Sequence, residues 1–156
     1  MPRPDVDAIG TKYRRIPVLS IGRDIYNDTR LILRKLEQLY PFSTSHPGIS
    51  STASTDIFLS RLIESWVIDN GVFMRASQLI PSDTPLLKDE KFQKDRADMS
   101  GRSWNKEMVD KMRPESLVET RGVFELLETT MLADGREWIL GGEGPGLADI
   151  EGMISL

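Results

Sequence analysis

Two short segments of this chain hold residue types that can do chemistry beyond packing. In the first, Arg15-Ile16-Pro17-Val18-Leu19 is followed by a turn signal, Gly22-Arg23-Asp24, and then by Asp28-Thr29 at the start of a helical pattern. A proline is tolerated as the first residue of a strand, where its missing ladder donor does least harm. An X–Pro bond also has access to the cis form, which turns the backbone of Ile16 outward. An outward-facing N–H and C=O beside a helix N-terminus make a peptide-docking edge. There Asp28 can take an ammonium group, while the Thr29 hydroxyl and the amides of the helix start can take a carboxylate. The plainer alternative is that Pro17 only opens a strand and Asp28 only caps a helix, a common use of such residues.

The second segment is Trp138-Ile139-Leu140-Gly141-Gly142, leading into Gly146-Leu147-Ala148-Asp149-Ile150. An aspartate at the third helical position can reach back to the N-cap backbone N–H and complements the helix dipole. Pro145 and Ile150 have the spacing of a hydrophobic staple. Gly146 stands where a serine or threonine cap would be better by a few tenths of a kcal/mol. This segment is a folding signal rather than a reactive one.

The elements that must carry these segments follow from pattern. Ile16 to Ile21 and Ile25 to Asn27 read as an antiparallel hairpin. A helix follows with Ile32, Leu36, Leu39 and Tyr40 on one face, stopped by Pro41. Upstream, Pro4 to Gly10 holds a short helical turn. Residues 43–55 read as a linker rich in serine and threonine. Leu59, Leu62, Ile63, Trp66, Val67 and Phe73 then recur with helical spacing, which predicts one long helix ending before Pro81. A charged helix is expected over Lys88 to Met99, with a mixed-charge, solvated face. A short helix is expected over Ser103 to Arg113. Pro114 is expected in the first turn of another helix, with Leu117, Phe124, Leu127 and Met131 on its inner face. A last helix starts near Leu147.

Composition narrows the class. The 156 residues carry a net charge of -4, and no basic surface of the kind that displaces phosphate counterions is legible, which argues against a nucleic-acid partner. The chain has no cysteine, so disulfides, thiolate metal sites and a cysteine nucleophile are excluded. His46, the one histidine, lies among Ser, Thr, Pro and Gly and reads as a loop residue, since a metal site needs several convergent donors. Neither a secretory leader nor a membrane-spanning run is legible, so a soluble cytoplasmic protein without membrane partners is expected.

Together the two segments carry a resemblance. Ile16-Pro17-Val18-Leu19 with Asp28-Thr29 resembles the glutathione S-transferase pattern of a cis-proline strand followed by an acid–hydroxyl pair. Trp138 to Gly142 with Leu147-Ala148-Asp149-Ile150 is similar to that family's start of the core helix in its second domain. The stretch from Tyr13 to Tyr40 resembles fungal members in particular. The resemblance implies an α+β, mostly α fold: residues 1–42 as a partial thioredoxin-like lobe of hairpin plus helix, and 56–156 as an incomplete helical lobe. It implies that Ile16 bonds the cysteinyl backbone of glutathione, that Pro17 is cis, and that Asp28 and Thr29 hold the γ-glutamyl end. It also implies conjugation of glutathione to electrophilic small molecules, small hydrophobic ligands as second partners, and a homodimer.

The departures from that pattern shape the expectation. The family's first strand, helix and second strand, with the tyrosine, serine or cysteine that activates the thiol, have no counterpart before Ile16. No catalytic role passes to Tyr13, Tyr26 or Tyr40. The alternatives are therefore a non-catalytic binding or interaction module, or an inactive fragment.

Overall fold

The computed structural model of the chain describes residues 4–13, 15–43, 48–69 and 71–153. The fold is α+β and mostly helical. Its elements are α1 (Pro4–Ala8), β1 (Val18–Ile21), β2 (Asp24–Asn27), α2 (Thr29–Leu39), α3 (Ser54–Ile68), α4 (Val72–Ser77), a 3-10 turn (Pro85–Lys88), α5 (Glu90–Ser100), α6 (Lys106–Thr129) and α7 (Leu147–Met153). They form two compact units, Met1–Ser50 and Ser51–Leu156. The expected linker overlaps this division, but its last two residues, Ser54 and Thr55, already belong to α3. His46 lies outside the described residues.

In the first unit, β1 and β2 pair antiparallel with Val18 opposite Asn27 and Ile21 opposite Asp24. Gly22, at φ 61°, takes the left-handed conformation of the tight turn between them. α2 folds back on the hairpin, and Lys35 Nζ lies 5.3 Å from the centre of the Tyr26 ring. Of the four residues expected on its inner face, only Ile32 is buried; Leu39 and Tyr40 are exposed. Two strands of four residues offer too little sheet to cover a helix face of three turns.

The second unit corrects two expectations from periodicity. The long helix expected up to Pro81 is broken into α3 and α4 at Gly71, whose φ of 90° cannot continue a right-handed helix. Gly71 instead opens α4, its carbonyl accepting from the Arg75 amide at 2.9 Å. The break takes Phe73 out of register with Ile63 and Val67, and Phe73 is left exposed. The core on this side joins Ile63 and Val67 of α3 to Ile139 and to Ala148 of α7.

The second correction concerns Pro114. It does not begin a new helix but sits inside α6, which runs unbroken from Lys106 to Thr129. The buried face of α6 is Val109, Ser116 and Thr120, while Leu117 and Phe124 are exposed beside it. α5 starts two residues later than expected, because Pro85–Lys88 forms a 3-10 turn and the Asp89 carboxylate caps the amides of Lys91 and Phe92. Leu87, Phe92 and Val109 make a second small core, with Trp104 packed against it.

After α6, the loop is clasped by Asp134 and Arg136, whose ion pair closes at 2.5 Å. Hydrogen bonds from the Arg136 guanidinium, then from its backbone amide, hold the Asp134 carboxyl at a pKa of about 2 against an ordinary 3.8. The folded chain thus binds that proton more weakly than the unfolded one. The stability contributed is present above the ordinary value and fades as pH falls from 3.8 towards about 2. A carboxyl carbon-13 titration is expected to show this low midpoint, and Arg136→Gln to move it towards the ordinary carboxylate range but short of it, because the backbone amide of residue 136 still donates. The pair is solvated, so high salt should erode the shift.

Candidate functional site

The hairpin brings together the four residues singled out in the first segment. Because Val18 faces Asn27 in the register, Pro17 and Asp28 are each one residue beyond that pair, at the same open end of the hairpin. The Ile16–Pro17 peptide bond is cis. Ile16 is 60% exposed, Pro17 and Asp28 are exposed, and Thr29 is half-buried as the first residue of α2.

Asp28 is the unusual member. It caps α2, its carboxylate accepting from the Arg30 amide at 3.0 Å and its carbonyl from the Ile32 amide at 3.0 Å. Yet it does so at φ 78°, ψ 129°, as the one non-glycine with positive φ among the described residues. Such a conformation costs on the order of 1–3 kcal/mol and tends to persist where surrounding structure or function demands it. Nothing in the sequence signals it: Asp-Thr after a strand reads equally well as an ordinary extended cap. The Arg30 amide is taken by the Asp28 side chain, so a bound carboxylate would be met by the Thr29 hydroxyl and the other amides of the first turn.

The second segment does what a folding signal should. Asp149 accepts from the Gly146 amide at 2.8 Å and, across ten residues, from the Ile139 amide at 2.8 Å. The first bond follows from local spacing. The second ties the apolar run before the glycines to α7.

Sequence reading missed a polar seam between α4 and α6. The Ser116 hydroxyl donates to Gln78 Oε1 at 2.5 Å with both residues buried. Arg75 reaches Glu119 at 2.6 Å and Glu115 at 3.2 Å, and Arg113 donates to the Leu79 carbonyl at 2.6 Å. The available signal was a set of polar residues at helical spacing, Glu115, Ser116, Glu119 and Thr120, where an apolar stripe was expected on the inner face.

Among the described residues, no helix is long and apolar enough to cross a membrane. Comparison with curated proteins and with solved structures gives no match. A family model does match residues 75–156, from within α4 through α7, a span that includes the polar seam and Asp149 but not the end of the hairpin. On that match, over more than half of its length, the chain belongs to the family described as a domain of unknown function, DUF7962.

Proposed function

We propose that the open end of the hairpin is a glutathione-docking site on a thioredoxin-like lobe, in a protein related to the glutathione S-transferases. The observation that supports this reading best is the hairpin register, in which Ile16-Pro17 and Asp28-Thr29 share one end. In this arrangement the Ile16 backbone bonds the cysteinyl backbone of the tripeptide. The Asp28 carboxylate takes the γ-glutamyl ammonium, and Thr29 with the first turn of α2 takes its carboxylate. The off-pattern backbone of Asp28 fits a carboxylate held where a ligand needs it. The reading goes with a cytoplasmic protein, where glutathione keeps thiols reduced, and with a homodimer as the family's usual state. The family's reaction is conjugation of glutathione to electrophilic small molecules. The chain's own residues support binding, with no group assigned to activate the thiol.

The test is retention on glutathione-agarose together with a thiol-conjugation assay. Asp28→Asn keeps the cap oxygen and removes the charge, and Thr29→Val keeps the shape and removes the hydroxyl. The intact chain should be retained, and each variant should weaken binding about tenfold. Retention that is absent, or unchanged in the double variant, rejects the site. Turnover alongside retention supports a transferase; retention alone supports a binding module.

A further inference from the structure

The loop after α4 leads into the 3-10 turn through Thr84-Pro85, the one Ser-Pro or Thr-Pro step in the sequence. A proline forces the residue before it out of the helical region, and Thr84 is extended accordingly, at φ -57° and ψ 138°. The run from Pro81 to Leu86 lies at the surface. Pro81, Asp83, Pro85 and Leu86 are exposed, Ser82 and Thr84 are half-buried, and the chain enters the core only at Leu87. Thr84 stands at the N-cap position of the 3-10 turn, where a threonine hydroxyl commonly accepts from a backbone amide. Its side chain makes no such bond, and its oxygen is not among the buried ones. Lys106, the first residue of α6, reaches across to this loop with a side chain 64% exposed. Its ammonium donates to Ser82 Oγ at 3.2 Å and pairs with Asp110 at 2.6 Å. Ser82 and Thr84 share one tight turn, closed by the Thr84 amide on the Pro81 carbonyl at 3.1 Å.

We infer that Thr84 is a phosphorylation site for a proline-directed protein kinase, and that Lys106 receives the phosphate. In the transfer the Thr84 hydroxyl oxygen bonds to the terminal phosphorus of a nucleoside triphosphate held by the kinase. The bond from that phosphorus to the nucleoside diphosphate breaks, and the hydroxyl proton passes to a base of the kinase. Such a kinase reads an extended backbone with a hydroxyl followed by proline, and this loop presents both while Leu87 stays in its core. The product carries a charge of about -1.5 to -2 at neutral pH, with three acceptor oxygens. It is a stronger acceptor for an ammonium than the Asp110 carboxylate or the Ser82 hydroxyl. Two residues from Ser82, it lies within the swing of the flexible four-carbon lysine stem. The phosphate then ties the first turn of α6 to the loop by a charged bridge in place of the bond to Ser82, beside the small core of Leu87, Phe92 and Val109. The site lies wholly within the second unit and is independent of the glutathione reading.

The experiment treats the full chain with a proline-directed protein kinase and magnesium ATP, and follows intact mass, fragment mass and phosphorus-31 NMR. One phosphate per chain is expected, located on Thr84, retained in Thr84→Ser and lost in Thr84→Val and in Pro85→Ala. Thr84→Val removes no cap bond, so its circular dichroism should match that of the intact chain, and the loss then reports the acceptor rather than the fold. The second ionisation of a phosphothreonine lies near pH 6, and Lys106→Gln should raise it by a few tenths of a pH unit, since Asp83 and Asp110 then remain without the ammonium. No transfer to the intact chain, or transfer that persists unchanged in Thr84→Val, overturns the site. A phosphate that titrates alike with and without Lys106 overturns its capture by that lysine.

Discussion

Replacing Asp149 with alanine is expected to lower the stability of the second unit by about 2–4 kcal/mol, because two charge-assisted hydrogen bonds to backbone amides are lost at once. One carboxylate oxygen holds the amide of Gly146, an orphan donor of the α7 N-terminus, at 2.8 Å. The other holds the Ile139 amide at 2.8 Å. The side chain of Ile139 is buried with Ala148, Ile63 and Val67. Truncation therefore strands a partly buried donor beside the core and loosens the joint between α3 and α7. Asp149→Asn keeps one acceptor oxygen but turns an amide N–H towards the other donor, so about half of the loss is expected. All three tryptophans, Trp66, Trp104 and Trp138, lie in this unit, and urea unfolding followed by their fluorescence reads it without interference. A loss below about 0.5 kcal/mol would mean that water replaces the carboxylate at both amides.

That aspartate also marks how far the sequence could be read. The bond to Gly146 was legible, because an acid at the third helical position and a cap amide are three residues apart. So were the hairpin, the Asp28 cap and the charged α5 helix, all fixed by neighbours within a few residues. The bond to Ile139 was not, since a glycine-rich turn must first bring the two together. Gly71 shows the reverse failure. A continuous apolar period through Phe73 concealed a left-handed residue that ends the helical path, and only the packing of α4 on α6 shows why the chain turns there. On α6 the expected apolar stripe lost to polar residues, because Ser116 finds Gln78, 38 residues earlier. In the candidate site the residues and their order were legible. The positive φ of Asp28 was not, because backbone conformation at a single non-glycine residue leaves no mark on composition or spacing.

Pro114→Ala should act in the opposite direction and stabilise the second unit by about 1–3 kcal/mol. A proline in a helix interior lacks the N–H that would bond the carbonyl four residues back, here that of Asp110, and its ring crowds that carbonyl. Relative to alanine the penalty is about 3 kcal/mol, reduced here because proline also restricts the unfolded chain. α6 tolerates it because both halves are anchored. Val109 packs with Leu87 and Phe92 before the proline. After it, Ser116 bonds Gln78, and at the junction Arg113 holds the Leu79 carbonyl. The helix is thus maintained by tertiary contacts against its own local preference, which is why Pro114 reads as a helix start in the sequence. Pro114→Gly provides the control: it restores the N–H but forfeits about 1 kcal/mol of helix propensity relative to alanine, so its gain should be smaller by that amount. A net loss of stability in both variants would show instead that the proline sets the angle at which Arg113 and Ser116 meet α4, and that the seam contributes more than the missing hydrogen bond costs.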